Sequence, residues 1–155
     1  MRFFEDMIIG EVRLSRTHRV TREAMLEFAR NYDPQYFHAD PKLAEQSIFG
    51  EVIASGIYGA ALWRILDHEI SGDIRWICGV AWENVRWPKP IRAGDEVRAR
   101  SETLSKRLSM SDPARGVVEC GYSLLNQHDE QAFVCRSINL IELRGGPPVP
   151  RTSKS

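Results

Sequence analysis

The chain has 155 residues, the usual size of one domain, with 43% hydrophobic and 27% charged residues, which excludes a disordered or fibrous protein. Lys plus Arg (21) balances Asp plus Glu (21), so no basic excess exists to bind a nucleic-acid backbone. The longest apolar run, Ile57–Trp63, stops at Arg64, far short of the ~20 residues a membrane span needs.

Glu5 and Asp6 stand where a signal peptide would carry its apolar centre, so a cytoplasmic location is expected. Residues 12–20 alternate, with Val12, Leu14 and Val20 on one face and Arg13, Ser15, Thr17 and Arg19 on the other, predicting a half-buried strand. Thr21 then fits an N-cap. The stripe Met25, Phe28, Ala29 and Tyr32 predicts a helix from Arg22. Asp33-Pro34 ends it, because the residue before proline is pushed out of the α region.

The next loop, DPQYFHADP, sets Asp33 and His38 five positions apart between two prolines. A carboxylate and a neutral imidazole converging on one water can take up its proton and return it to carbon, which is general acid-base work. The same spacing also suits turn and helix caps, with Asp40-Pro41 as a helix start. Spacing alone leaves both open.

Ser55-Gly56 opens the most apolar segment, IYGAALWRIL. Apolar residues cover nearly its whole circumference, predicting a buried helix to about Ser71-Gly72. The glycine-bearing approach to its N-terminus suits negative charge, such as a thioester oxygen becoming enolate-like, and equally suits a plain cap with a packing glycine. Four alternating segments follow: 74–87, 96–104, 117–125 and 132–143. The order predicts an α+β fold, an antiparallel sheet wrapped on one central helix. One domain over 1–144 is expected, with a loose tail, GGPPVPRTSKS, from 145 to 155.

Trp76, Trp82 and Trp87 fall on a strand apolar on both faces, consistent with burial on the helix and against a second subunit, or with a ligand groove. Cys78, Cys120 and Cys135 have no CxxC pairing and are expected to be small buried residues. His18, His68 and His128 receive no role, and the four histidines lack metal-ligand spacing.

The segments DPQYFHADPKLAEQSIFGEVIASG and WENVRWPKPIRAGDEV resemble the MaoC-like dehydratases, the (R)-specific enoyl-CoA hydratase group of the hot-dog superfamily, and the likeness covers about residues 5–143. The family's D-x-N-P-x-H motif matches Asp33 and His38, with Gln35 in place of asparagine and Tyr36 in place of proline. Ser55 stands where many members have histidine. The resemblance implies a hot-dog fold and reversible addition of water to a trans-2-enoyl-CoA. It implies Asp33 and His38 as the catalytic pair, and Gly56, Ser55 and Gln35 on the substrate, with the Gly56 N–H binding the thioester carbonyl. No metal or redox cofactor is implied. An acyl-CoA thioesterase and a non-catalytic acyl-CoA-binding protein are the alternatives. Lys89, Arg86 and Arg92 are candidates for the CoA phosphates, and at least a homodimer is expected.

Overall fold

The computed structural model describes residues 1–146. Of the expected tail, Gly145 and Gly146 close a turn on Leu143, and residues 147–155 lie outside the described residues. After a short turn at Phe4–Asp6 come β1 (Val12–Leu14), β2 (His18–Arg19), α1 (Arg22–Tyr32), α2 (Tyr36–Ala39), α3 (Pro41–Ala44) and α4 (Gly56–Ser71). Then follow β3 (Trp76–Arg86), β4 (Glu96–Leu108), β5 (Arg115–Leu125) and β6 (Gln131–Glu142). The sheet runs β1-β4-β5-β6-β3, every neighbour antiparallel, with β2 also on β4.

The sheet curls around α4, whose 16 residues give about 24 Å of helix at 1.5 Å each. Trp63 is the pin of the core: it is fully buried and meets Tyr122 at 4.8 Å and Phe133 at 5.3 Å between ring centroids. Leu62 and Leu66 are buried on the same side of the helix. Replacing such an indole by alanine costs about 3–5 kcal/mol.

The caps explain where the helices start. Thr21 Oγ1 accepts from Ala24 N at 3.3 Å, Asp40 Oδ1 from Lys42 N and Leu43 N at 2.9 and 3.1 Å, and Ser55 Oγ from Ile57 N at 3.2 Å. Each satisfies first-turn N–H groups that have no partner within the helix. No described helix is long and apolar enough to cross a membrane.

Three expectations need correction. The single strand over 12–20 is two short strands, and Val12 and Leu14 face solvent (44% and 48% exposed). The inward residue between them is Arg13. Its guanidinium binds the Ile70 carbonyl at the end of α4 and Asp73 Oδ1 at 2.7 Å, a cation placed at the negative end of the helix dipole. The central helix is not buried all round, because Ile57 and Ile65 lie on its outer face, 55% and 60% exposed. Cys78 is exposed on β3, the last strand of the sheet, whereas Cys120 and Cys135 are buried as expected. Burial pushes the Cys120 thiol up to about 11 and the Cys135 thiol up to about 12, so neither supplies a thiolate at neutral pH.

Candidate active site

The three elements that build the site converge at the N-terminus of α4. Asp33 is the C-cap of α1, its N–H bonded to the Ala29 carbonyl at 2.9 Å, and Pro34 turns the chain away at once. His38 follows on the single turn α2 and is buried, 6% exposed. Ile53 and Ala54 arrive on an extended segment that bridges to Ile91 and Arg92, which lead into β4.

His38 Nδ1 lies 2.8 Å from the Ile53 carbonyl. A carbonyl can only accept, so a proton sits on Nδ1, and in the neutral form of the ring the lone pair is the one at Nε2. That nitrogen is 3.7 Å from Asp33 Oδ2, close enough for both to hold one water. The edge of Phe37, with ring centroids 4.5 Å apart, fixes the imidazole plane from the side.

Asp33 accepts from Ser55 Oγ at 2.6 Å through Oδ2 and from Gln35 Nε2 at 2.9 Å through Oδ1. These two donors, the Ser55 hydroxyl first, hold its carboxyl below the usual carboxylate range. Asp33 therefore stays ionised at neutral pH. It is an acceptor and an anchor, whereas the free lone pair of His38 is the group that can take a proton.

Gly56 is the first residue of α4, and its N–H has no acceptor among the described residues. Its carbonyl accepts from Trp87 Nε1 at 2.9 Å. The indole lies so close that a Cβ at Gly56 would stand 2.8 Å from Trp87 Cε2 and Nε1, so this position demands glycine for contact rather than for backbone freedom.

Asp33, Gln35, His38, Ser55 and Gly56 all border one cavity of about 580 Å³, whose remaining walls are mostly apolar: Phe37, Phe49, Ile57, Trp87, Pro88 and Ile91. Such a chamber with a few convergent polar groups is the usual form of a small-molecule site. The five residues singled out in the sequence are thus brought together. Ser55 is bonded to Asp33 and to the backbone of α4, so it braces the carboxylate.

The basic candidates separate. Lys89 borders the cavity and is paired with Glu130 at 3.1 Å, Arg92 is paired with Glu51 at 2.7 Å, and Arg86 lies in a shallow outer groove. A second cavity of about 550 Å³, between the far half of α4 and β3, shares none of these residues. There Arg64 Nη1 binds Asp67 Oδ2 at 2.7 Å. Among the described residues no three His, Cys, Asp or Glu side chains gather in a metal-sized cluster.

Trp87 is the cavity residue that sequence patterning misplaced. It lies one position past the end of β3, in the turn before Pro88, and not on a strand face. The signal available was the proline after it, which ends a strand.

The wrapped sheet and single central helix form the hot-dog fold. The family model for the MaoC like domain matches residues 4–120. The chain is 29% identical over 133 residues, 83% of its length, to the uncharacterized protein YdeM of Bacillus subtilis, of which it covers 91%. It is 31% identical over 107 residues to the 3-hydroxyacyl-thioester dehydratase Z of Mycobacterium tuberculosis, covering 67% of this chain and 68% of that one. The crystal structure of a MaoC-like dehydratase from Rhodospirillum rubrum superposes with a TM-score of 0.84 at 33% identity, over 93% of this chain and 99% of that one.

Proposed function

The chain belongs to the MaoC-like dehydratase family, and on that premise we propose that it adds water reversibly to a trans-2-enoyl-CoA, giving the (R)-3-hydroxyacyl-CoA. One observation carries the proposal: the Asp33–His38 pair and the unbonded N–H of Gly56 border the same mostly apolar cavity. Two functions, proton handling and oxyanion binding, are needed at adjacent atoms of one substrate.

The thioester carbonyl accepts from the Gly56 N–H at the positive end of the α4 dipole. One water sits between Asp33 Oδ2 and His38 Nε2. Its oxygen bonds to C3, one of its protons passes to Nε2, and the C2=C3 electron pair moves towards the carbonyl to form an enolate. The Gly56 N–H stabilises the enolate oxygen, and the imidazolium returns the proton to C2. The sum is one water added and every protein group restored. Asp33, ionised throughout, stabilises the transient imidazolium and orients the water.

The test is to incubate the protein with crotonyl-CoA in deuterated water. Loss of the conjugated absorbance, an (R)-3-hydroxy product with its thioester intact and deuterium at C2 are the expected results. Free CoA released at the rate of substrate loss, without hydroxyacyl product, would transfer the activity to thioester hydrolysis.

Residues 1–144 act in this proposal as one domain, and two copies pair along β3. Among the described residues β3 bonds only to β6 within the sheet, which leaves its other edge open, and Val80 (59% exposed) and Trp82 (49% exposed) stand along it. An open apolar strand edge of this length is a surface that proteins cover.

A further inference from the structure

The path of the chain into Trp87 is irregular in a specific way. The pairing of β3 with β6 shifts register between Glu83 and Arg86, and Asn84 within that bulge has φ +54°, a left-handed conformation that asparagine tolerates better than most residues. The bulge ends the strand at Arg86, and Pro88 and Pro90 then fix the backbone on the far side. Between these constraints Trp87 reaches back across the cavity, donates Nε1–H to the Gly56 carbonyl at 2.9 Å, and rests its ring 6.1 Å from that of Phe133.

Its one polar group is therefore engaged, and what it offers the cavity is carbon. Trp87 is 51% exposed, so the indole is a wall of the cavity and not part of the core. The wall stands against the Cα of Gly56, the residue whose N–H is free for a carbonyl. Any acyl group running from that carbonyl into the cavity passes the ring. The ring cannot swing aside without breaking its bond to Gly56.

We propose that Trp87 is a specificity-determining residue that limits the bulk of the acyl group. The proposal rests on the acyl-CoA function above and deepens it: it names the residue that sets selectivity among enoyl-CoA substrates of different acyl bulk. Hydrophobic walls discriminate between chains differing by methylenes by about 10–200-fold. Trimming the ring should relax that limit; it also removes the Nε1–H bond to the Gly56 carbonyl, a loss common to every substrate, so the ratio between substrates and not either rate alone is the readout.

The experiment compares crotonyl-CoA with trans-2-octenoyl-CoA in wild type, Trp87→Ala and Trp87→Leu, the leucine variant serving if alanine does not fold. The kcat/KM ratio of octenoyl to crotonyl should rise about tenfold or more in a folded variant. An equal fall on both substrates, with the ratio unchanged, would mean that Trp87 only supports the fold, and would overturn the proposal. Calorimetric titration with the saturated butyryl-CoA and octanoyl-CoA separates this result from failure of the hydratase activity. If wild type hydrates neither enoyl-CoA but a variant raises the octanoyl over butyryl affinity ratio by the same factor, the wall stands and the hydratase function falls. An unchanged affinity ratio, or no binding to wild type, overturns the wall as well.

Discussion

Ser55 Oγ lies 2.6 Å from Asp33 Oδ2, so a single hydroxyl ties the head of the central helix to the C-cap of α1 across 22 positions of sequence. The same oxygen accepts from Ile57 N, which orients its proton towards the carboxylate. The acidic member of the pair is thereby built into the helix start that carries the Gly56 N–H. Carboxylate and oxyanion donor move together or not at all.

Asp33→Asn and His38→Ala should each lower hydration of crotonyl-CoA by about a hundredfold or more, because either residue alone leaves the water without its second anchor. The double variant should lose little beyond the worse single one, since groups that act as a unit are not additive. Spectrophotometric kcat, with thermal melts close to wild type, checks both statements. Near-normal kcat in both single variants would remove the pair from the mechanism.

Gly56→Ala should cost activity despite favouring the helix by up to about 1 kcal/mol in propensity. The added Cβ meets the Trp87 indole at 2.8 Å and forces it off the Gly56 carbonyl. A fall in kcat/KM of about tenfold or more, with a shifted tryptophan emission maximum, is expected, because loss of an oxyanion donor's alignment is felt directly in the rate. An active variant with unchanged emission would mean that the added Cβ is accommodated with the indole still on the Gly56 carbonyl.

Ser55→Ala gives a prediction with a pH signature. The Asp33 carboxyl is lowered from 3.8 in the folded chain, so it contributes stability above that value and loses the contribution as pH falls through the lower folded value. Removing the first of its two donors should cost about 1.5–3 kcal/mol at neutral pH. Denaturant titrations should find that this deficit narrows below about pH 4 as Asp33 protonates, leaving only the pH-independent loss of the Ile57 cap. A deficit equal at pH 7 and pH 3 would show that the hydroxyl acts as a cap alone.

The assembly prediction is a particle of twice the 17.7 kDa chain mass in light scattering, converted to the single-chain mass by Val80→Lys on the open edge of β3. A single-chain mass for the wild type at micromolar concentration would reject it.

What was legible in the sequence depended on how far each determinant lies along the chain. The bounds of α4 could be taken from Ser55 and Gly72 because capping is local, and Asp33 as the end of α1 followed from Pro34 alone. The Asp33–His38 pair was visible as a motif, but its chemistry was not. The tautomer of His38 depends on the Ile53 carbonyl and the low carboxyl of Asp33 depends on Ser55, partners 15 and 22 residues away. The inward turn of Arg13 depends on Ile70 and Asp73, and the place of Trp87 on Gly56. Alternation counts apolar residues and has no means of registering a distant acceptor.

The irregular pairing of β3 bears on how the protein behaves at high concentration. A straight terminal strand offers an evenly spaced row of unpaired N–H and C=O groups to any extended chain, and so seeds fibre-like aggregation. Three register shifts, after Trp76, Gly79 and Glu83, break that row into short pieces, and the left-handed Asn84 bends its end out of plane. A generic peptide strand cannot follow such an edge for more than a few residues. The edge that remains is a poor template for indiscriminate strand addition.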